Sequence, residues 1–355
     1  MARDANRVLD ESRETIARVL GANAGEIVFT SGGTESDNLA IQGVVGRAGG
    51  IAVCSAVEHH AVLEPVEDFS GLVVPVDSSG LVQLDALAEL LKSAPEPVSV
   101  VSVMLVNNET GVVQPLAPVA RVVREFAPSA LFHTDAVQAL CWLDVAAETS
   151  CADLVSISAH KIGGPKGVGA LVVRDHVSLE PMARGGGQER GRRNGTQNVP
   201  GIAGLAAAAA ETVSNREAEV LRVGALRDRM ADGIRAAVPD CVESAVPDFD
   251  RSGKTANMCH LAFEGIESEA LLFLLEQQDI LASAASSCSS GAQDPSHVLA
   301  AMGMSRSLAG GSLRLSLGHT SVEADVEAAL VAVPMAIERL RSHASSVATN
   351  GVLGG

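Results

Sequence analysis

Basic side chains are scarce in this sequence: 26 lysines and arginines stand against 43 aspartates and glutamates, for a formal net charge of -17. A phosphate backbone or an anionic membrane surface is repelled by such a chain, which argues against nucleic acid and membrane partners. Long apolar runs are missing too. None approaches the roughly 20 residues that cross a bilayer, and the opening Met1-Ala-Arg-Asp-Ala-Asn-Arg7 has no apolar signal core, so the expected location is cytoplasmic. The cysteines at 54, 141, 151, 241, 259 and 288 show no CxxC pairing and no dense spacing, which leaves neither a zinc centre nor a disulfide framework indicated. What is present is a chain of 355 residues, 47% of them apolar, long enough for two domains sharing an extended core.

The richest stretch runs from Leu154 to Val173. It reads as an apolar strand, a polar step at Ser158, His160 and Lys161, a turn built on Gly163, Gly164, Pro165 and Gly167, and a second apolar strand. A lysine at such a strand end can be partly desolvated, which lowers its pKa and frees the amine to attack a carbonyl. The alternative is an exposed loop lysine beside glycines that only permit the turn.

Before this stretch, helical and strand patterns alternate. An amphipathic helix over roughly residues 3 to 20 leads into the strand Glu26 to Thr30, the turn Ser31 to Ser36 and a helix through Asn38. Strand, glycine turn and helix start in succession point backbone N–H groups at one spot, which suits a phosphate, although any βα turn favours these residues. Strands follow at Ile51 to Cys54, Gly71 to Pro75 and Val98 to Val106, with helices after His60 and near 84 to 92. This rhythm predicts a mostly parallel sheet between helices, with chemistry at the carboxyl ends of its strands. Asn108 and Asp135 fall at such ends; a turn former and a helix N-cap are the plainer readings of each. His59 and His60 are equally compatible with a surface helix start.

Beyond Lys161, Arg184 to Thr196 carries arginines at 184, 190, 192 and 193 and reads as an anion-facing loop, with a solvated charged loop as the alternative. A long helix from about Ile202 towards 236 leads to a second region. There the pattern predicts strands at Met258 to Phe263, Ile280 to Ala282 and Ser312 to Leu317, and helices at Glu267 to Leu275, 295 to 302 and 321 to 342. The domain boundaries read from this are 1–210, 211–345 and a loose tail over 346–355. Cys288 is ringed by serine and alanine, an environment that leaves a thiol accessible; a chance loop cysteine is the alternative. Arg314 is the single charge within an apolar strand pattern and calls for a carboxylate partner, from the protein or a substrate.

Taken together, Ser31-Gly-Gly-Thr-Glu-Ser36, Glu58-His59, Asn107-Asn-Glu-Thr-Gly111, His133-Thr-Asp-Ala-Val-Gln138, Ser158-Ala-His-Lys-Ile-Gly-Gly-Pro-Lys-Gly167, Arg192-Arg-Asn-Gly-Thr196, Cys288 and Ser312-Leu-Arg-Leu-Ser-Leu-Gly318 resemble the cysteine desulfurase family. The likeness runs from about residue 5 to about residue 340 in the family's order. It implies an α/β, fold-type I enzyme dependent on pyridoxal 5'-phosphate, with a large domain and a smaller α+β C-terminal domain. By position, Lys161 would form the Schiff base and move the substrate's α-proton, Asp135 would hold the pyridine nitrogen protonated, and His59 would stack on the ring and assist proton transfer. Asn108 and Gln138 would bond the ring hydroxyl side, Asn108 also reaching the substrate. Thr34, Ser158 and His160 would bind the phosphate, with Thr196 supplied by the other subunit of a homodimer. Arg314 would pair with the carboxylate of L-cysteine, and Cys288 would take the sulfur as a persulfide. The acceptor would be a scaffold or thiolation protein of iron-sulfur assembly, tRNA thiolation or another sulfur-containing product.

The sequence departs from the family in its opening, where roughly fifty residues that usually precede the first helix have no counterpart. His319 also stands where an arginine is common. Selenocysteine lyase, another class-V aminotransferase-like activity, and a coenzyme-binding scaffold of weak activity are the alternatives this leaves open.

Overall fold

The computed structural model describes residues 2–246, 250–284 and 296–351. Its contacts divide the chain into two compact units: 1–76, 81–108 and 113–217 form the first, and 77–80, 109–112 and 218–355 the second.

In the first unit, α1 (Ala2–Val19) precedes β1 (Ile27–Thr30), followed by α2 (Gly33–Ala48), β2 (Ile51–Ser55), α3 (His60–Asp68), β3 (Leu72–Val74), α4 (Leu84–Ser93) and β4 (Val98–Ser102). Then come α5 (Leu116–Phe126), β5 (Leu131–Asp135), the short α6 (Val145–Glu148), β6 (Leu154–Ser158) and β7 (Gly169–Val173). The seven strands form one sheet in the order β1-β7-β6-β5-β4-β2-β3. Strands 3, 2, 4, 5 and 6 pair parallel, while β7 is antiparallel to both β6 and β1. These strands read as unbroken Val, Ile and Leu runs because helices cover both faces of such a sheet. Val44 and Ile41 of α2 and Val62 and Val66 of α3 join Val100, Leu154 and Leu171 in a core with almost no exposed surface. The mostly parallel α/β sheet expected from the sequence is thus the observed one.

Two local departures have clear causes. The apolar run 98–106 is a strand only to Ser102; beyond it the chain leaves regular pairing but stays beside β5, with the Val103 and Leu105 N–H groups donating to the His133 and Asp135 carbonyls at 3.1 and 2.9 Å. In the arginine-rich loop Arg184 and Arg190 are exposed, while three of the four arginines bond groups of the chain itself. Arg190 and Arg192 donate to the Gly25 carbonyl, and Arg193 to Glu35 at 2.8 Å. The preceding residue, Glu189, is buried against α1, where Arg13 grips it through both guanidinium nitrogens at 2.8 and 2.7 Å.

The long helix α7 (Val199–Ala237) carries the chain into the second unit. There β8 (Val242–Glu243), β9 (Met258–Ala262) and β10 (Ser312–Ser316) form an antiparallel sheet in the order β10-β9-β8. Helices α8 (Ser268–Glu276), α9 (His297–Ala301), α10 (Arg306–Gly310) and α11 (Glu323–Gly351) complete it. Its core is Leu261, Phe263, Leu271, Leu313 and Val333 with their neighbours. The segment Ile280–Ala282 is not a strand. Among the described residues of this stretch Ser283 alone bridges to Arg314; before it the chain is still in a turn, with Asp279 at φ 57 donating its N–H to the Glu276 carbonyl at 3.0 Å.

Candidate functional site

Four parallel strands of the first unit deliver polar residues at their carboxyl ends. Asp135 is the last residue of β5 and is 6% exposed. One of its carboxylate oxygens accepts the Val137 N–H at 2.8 Å. Burial pushes this carboxyl up to about 6, against the pull of that N–H group and of the Lys161 charge. Lys161 lies in the tight turn after β6, the strand paired with β5, where Ser156 stands opposite Asp135. It is exposed in the single chain, unlike the desolvated lysine the strand-end position suggested.

Ser158 closes β6, fully buried, and its hydroxyl meets His160 Nδ1 at 2.8 Å. Burial, with the Lys161 and Lys166 charges, lowers the pKa of His160. The N-terminus of α2 packs on this point. A Cβ on Gly33 would stand 2.8 Å from Val137 Cγ2, and one on Gly32 would stand 3.9 Å from Ser158 Oγ, so glycine brings the helix end up against the two strand ends. Gly169 makes the same approach possible from β7, since its Cβ would lie 2.8 Å from the Gly32 backbone. Thr34 is exposed on the first turn of α2, where N–H groups lack intrahelical acceptors. His59 follows β2 and caps α3, its Nδ1 accepting the Ala61 N–H at 3.1 Å. Asn108 and Gln138 are partly buried after β4 and β5, and Thr196 is exposed. Arg314 is in the second unit, and Cys288 lies outside the described residues.

Around Asp135 the structure buries residues to which the sequence reading gave no role. Asp37 of α2 and Glu58 after β2 are 1% and 0% exposed, and burial raises both carboxyls well above their ordinary range, with the Asp135 charge adding to it. Glu58 accepts the Met104 N–H at 2.6 Å and the Ser55 hydroxyl at 3.0 Å. His133, two residues before Asp135 on the same face of β5, sits between Ser102 Oγ at 2.8 Å and Ser156 Oγ at 3.0 Å. Burial drives its pKa down to about 3, so it is a neutral ring. Asp37 had no sequence signal beyond an acid near a helix start, where a solvated side chain is the default.

The five cysteines among the described residues carry no disulfide. Burial raises all five thiols, Cys141 to about 11 and Cys241 and Cys259 to about 12. Among the described residues no helix is long and apolar enough to cross a membrane.

A model of the aminotransferase class-V family matches residues 1–329. The chain is 43% identical to an IscS-like cysteine desulfurase of Mycobacterium tuberculosis, over 98% of this chain and 90% of that protein. Among solved structures it resembles a NifS-like protein at 34% identity, with a TM-score of 0.86 and coverage of 95% of this chain and 89% of the other. It also resembles SspA, solved in complex with cysteine, at 30% identity and a TM-score of 0.72, covering 90% of this chain and 89% of that one. Sheet order, strand-end acid and lysine, and these likenesses agree: the chain belongs to the aminotransferase class-V family, among the pyridoxal 5'-phosphate-dependent cysteine desulfurases of fold type I.

Proposed function

We propose that this chain converts L-cysteine to L-alanine and holds the released sulfur as a persulfide on Cys288 for transfer to an acceptor protein. The observation that carries the reading is the placement of the buried Asp135 carboxyl at the end of β5 and of Lys161 in the turn after the neighbouring β6, beside the glycine-lined start of α2.

The residues present fit the coenzyme. Gly32 and Gly33 let the N-terminus of α2 approach Ser158 closely, which offers a helix N-terminus and a hydroxyl to a phosphate. Asp135 offers a buried carboxylate to a ring nitrogen, and Lys161 an amine to an aldehyde. When bound, pyridoxal 5'-phosphate supplies an electron sink for the charge that develops at the substrate's α-carbon.

The chain's own residues do the rest. Thr34, Ser158 and His160 would bind the phosphate, joined by Thr196 from a second copy of the chain in a homodimer. Asp135 would keep the ring nitrogen protonated. His59 would cover the ring face, and Asn108 and Gln138 would bond its hydroxyl side. Lys161 would move a proton at the substrate's α-carbon. Arg314 would orient the substrate carboxylate through its planar fork, with Asn108 beside it. The Cys288 thiolate would then attack the substrate sulfur. The new S–S bond forms as the C–S bond breaks, and alanine is the second product. Support for Cys288 in this role comes from contrast, since burial holds the five other thiols in their neutral form.

The test is alanine release from cysteine by purified protein supplied with coenzyme. Yellow protein is expected, and Lys161→Ala should bleach it. Cys288→Ala should keep the colour and lose turnover. Turnover that survives Cys288→Ala would reject the persulfide route.

A further inference from the structure

Thr196 is exposed in the arginine-rich loop, yet both of its neighbours in the chain are tied down. On one side the Gly195 N–H donates to Gln188 Oε1 at 2.9 Å; on the other Gln197 donates through Nε2 to Glu189 Oε1 at 3.0 Å. Two consecutive side chains thus brace the backbone before the threonine and the side chain after it. Gly195 itself is at φ 99, a conformation open to glycine and costly for a residue with a Cβ.

Glu189 is the fixed end of this brace. It is 6% exposed, and besides Gln197 its carboxylate accepts both terminal guanidinium nitrogens of Arg13 on α1, at 2.8 and 2.7 Å, and the Phe29 N–H of β1 at 3.1 Å. Four donors fill the lone-pair sites of the two oxygens. Glu189, Arg190 and Gly191 lie at φ 45, 57 and 77, so two residues that carry a Cβ are held in the left-handed region. Such strain persists only where the surroundings fix the backbone, and here the buried carboxylate is gripped from a helix and a strand at once. Between the brace and Thr196, Arg193 donates through Nε to Glu35 Oε1 at 2.8 Å, and Glu35 Oε2 accepts the Ser31 N–H at 2.7 Å. The loop is thereby also tied to the turn that presents Thr34.

We propose that Gln188 and Glu189 are positioning residues for coenzyme binding: they hold Thr196 in the place from which its hydroxyl reaches the phosphate bound by a second copy of the chain. The inference rests on the reading of Thr196 as a phosphate donor across a homodimer. A hydroxyl whose flanking residues are fixed beforehand loses less freedom when it takes up a phosphate oxygen.

Gln188→Met and Gln197→Met test this, because methionine keeps nearly the size of glutamine without its amide, and neither change touches the buried Arg13–Glu189 pair. Equilibrium dialysis of the full-length chain gives the coenzyme's dissociation constant, and the phosphorus NMR resonance of the bound coenzyme reports the surroundings of its phosphate. Thr196→Ala should raise the dissociation constant about tenfold. Gln188→Met and Gln197→Met should each raise it about threefold and displace the phosphorus resonance. In the Thr196→Ala background neither should add anything, because the group through which they act is gone. Equal losses in both backgrounds, or unchanged affinity and resonance in both methionine variants, would overturn the bracing role while leaving that of Thr196 intact. An unchanged dissociation constant in Thr196→Ala would instead overturn the phosphate-donor reading, and this inference with it.

Discussion

Asp37 Oδ1 lies 3.6 Å from His133 Nε2, in an interior where neither side chain is more than 2% exposed. That oxygen has no hydrogen-bond partner among the described residues. A charged carboxylate so placed costs more than a neutral one, and burial together with the Asp135 and Glu58 charges raises its pKa. The folded protein therefore keeps a proton that the unfolded chain releases above about pH 4, and this group's contribution to stability falls as pH rises. Asp37→Asn should raise the melting temperature at pH 8, by the equivalent of about 1–2 kcal/mol, and change it little at pH 4. Thermal melts at the two pH values check this; a loss at pH 8 would contradict it.

In the role proposed for it, Asp135 should make the coenzyme's hold on the chain pH-dependent. Its carboxyl, raised to about 6 by burial, is protonated as pH falls through that value and can then no longer balance a protonated ring. Coenzyme affinity should drop below pH 6 by up to about tenfold per unit, and Asp135→Asn should remove that dependence while weakening binding at pH 8. Equilibrium dialysis across pH 5 to pH 8 measures both.

His133 works in the same acid direction on folding. Its pKa is depressed by burial to about 3, so the unfolded chain binds a proton below its ordinary value and the native ring does not. Stability from this site is present above about pH 6.5 and is lost as pH falls towards 3. His133→Gln should flatten the acid limb of a stability profile measured by urea titration.

The buried pair Arg13–Glu189 should matter far more than the exposed pair Arg7–Glu11. The first has side chains 17% and 0% exposed, the second 66% and 60%. Glu189→Gln leaves a largely buried guanidinium uncompensated and should cost about 3 kcal/mol, against less than about 0.5 kcal/mol for Glu11→Gln. Shifts in the denaturant midpoint decide between them.

Gly111→Ala should destabilise the second unit by about 2 kcal/mol, since φ is 78° there and the new methyl would collide with Met258. Circular dichroism melts would register it, and an unchanged midpoint would mean that segment 109–112 does not pack as described.

Local chemistry made much of this protein legible before any fold was known. Val, Ile and Leu runs bounded by glycine identify β2, β6 and β7 because strands buried on both faces need no polar alternation. Ser158, His160 and Lys161 stand out because polar residues between two such strands have to face a loop. The alternation of the two element types implied a parallel sheet, and with it the end of the sheet where Asp135 and Lys161 would meet.

What the sequence by itself determined is therefore the layered architecture and the residues that close its strands, since both follow from period and from neighbours a few positions apart. Only the tertiary structure decided that Asp37, Glu58 and His133 are buried together with Asp135, that Arg190 and Arg192 bond the Gly25 carbonyl and Arg193 bonds Glu35, and that Gly111 packs on Met258. The reason is physical: desolvation and charge pairing depend on which groups the fold brings within a few ångströms, and strand register and one glycine's close approach leave no local mark in the chain.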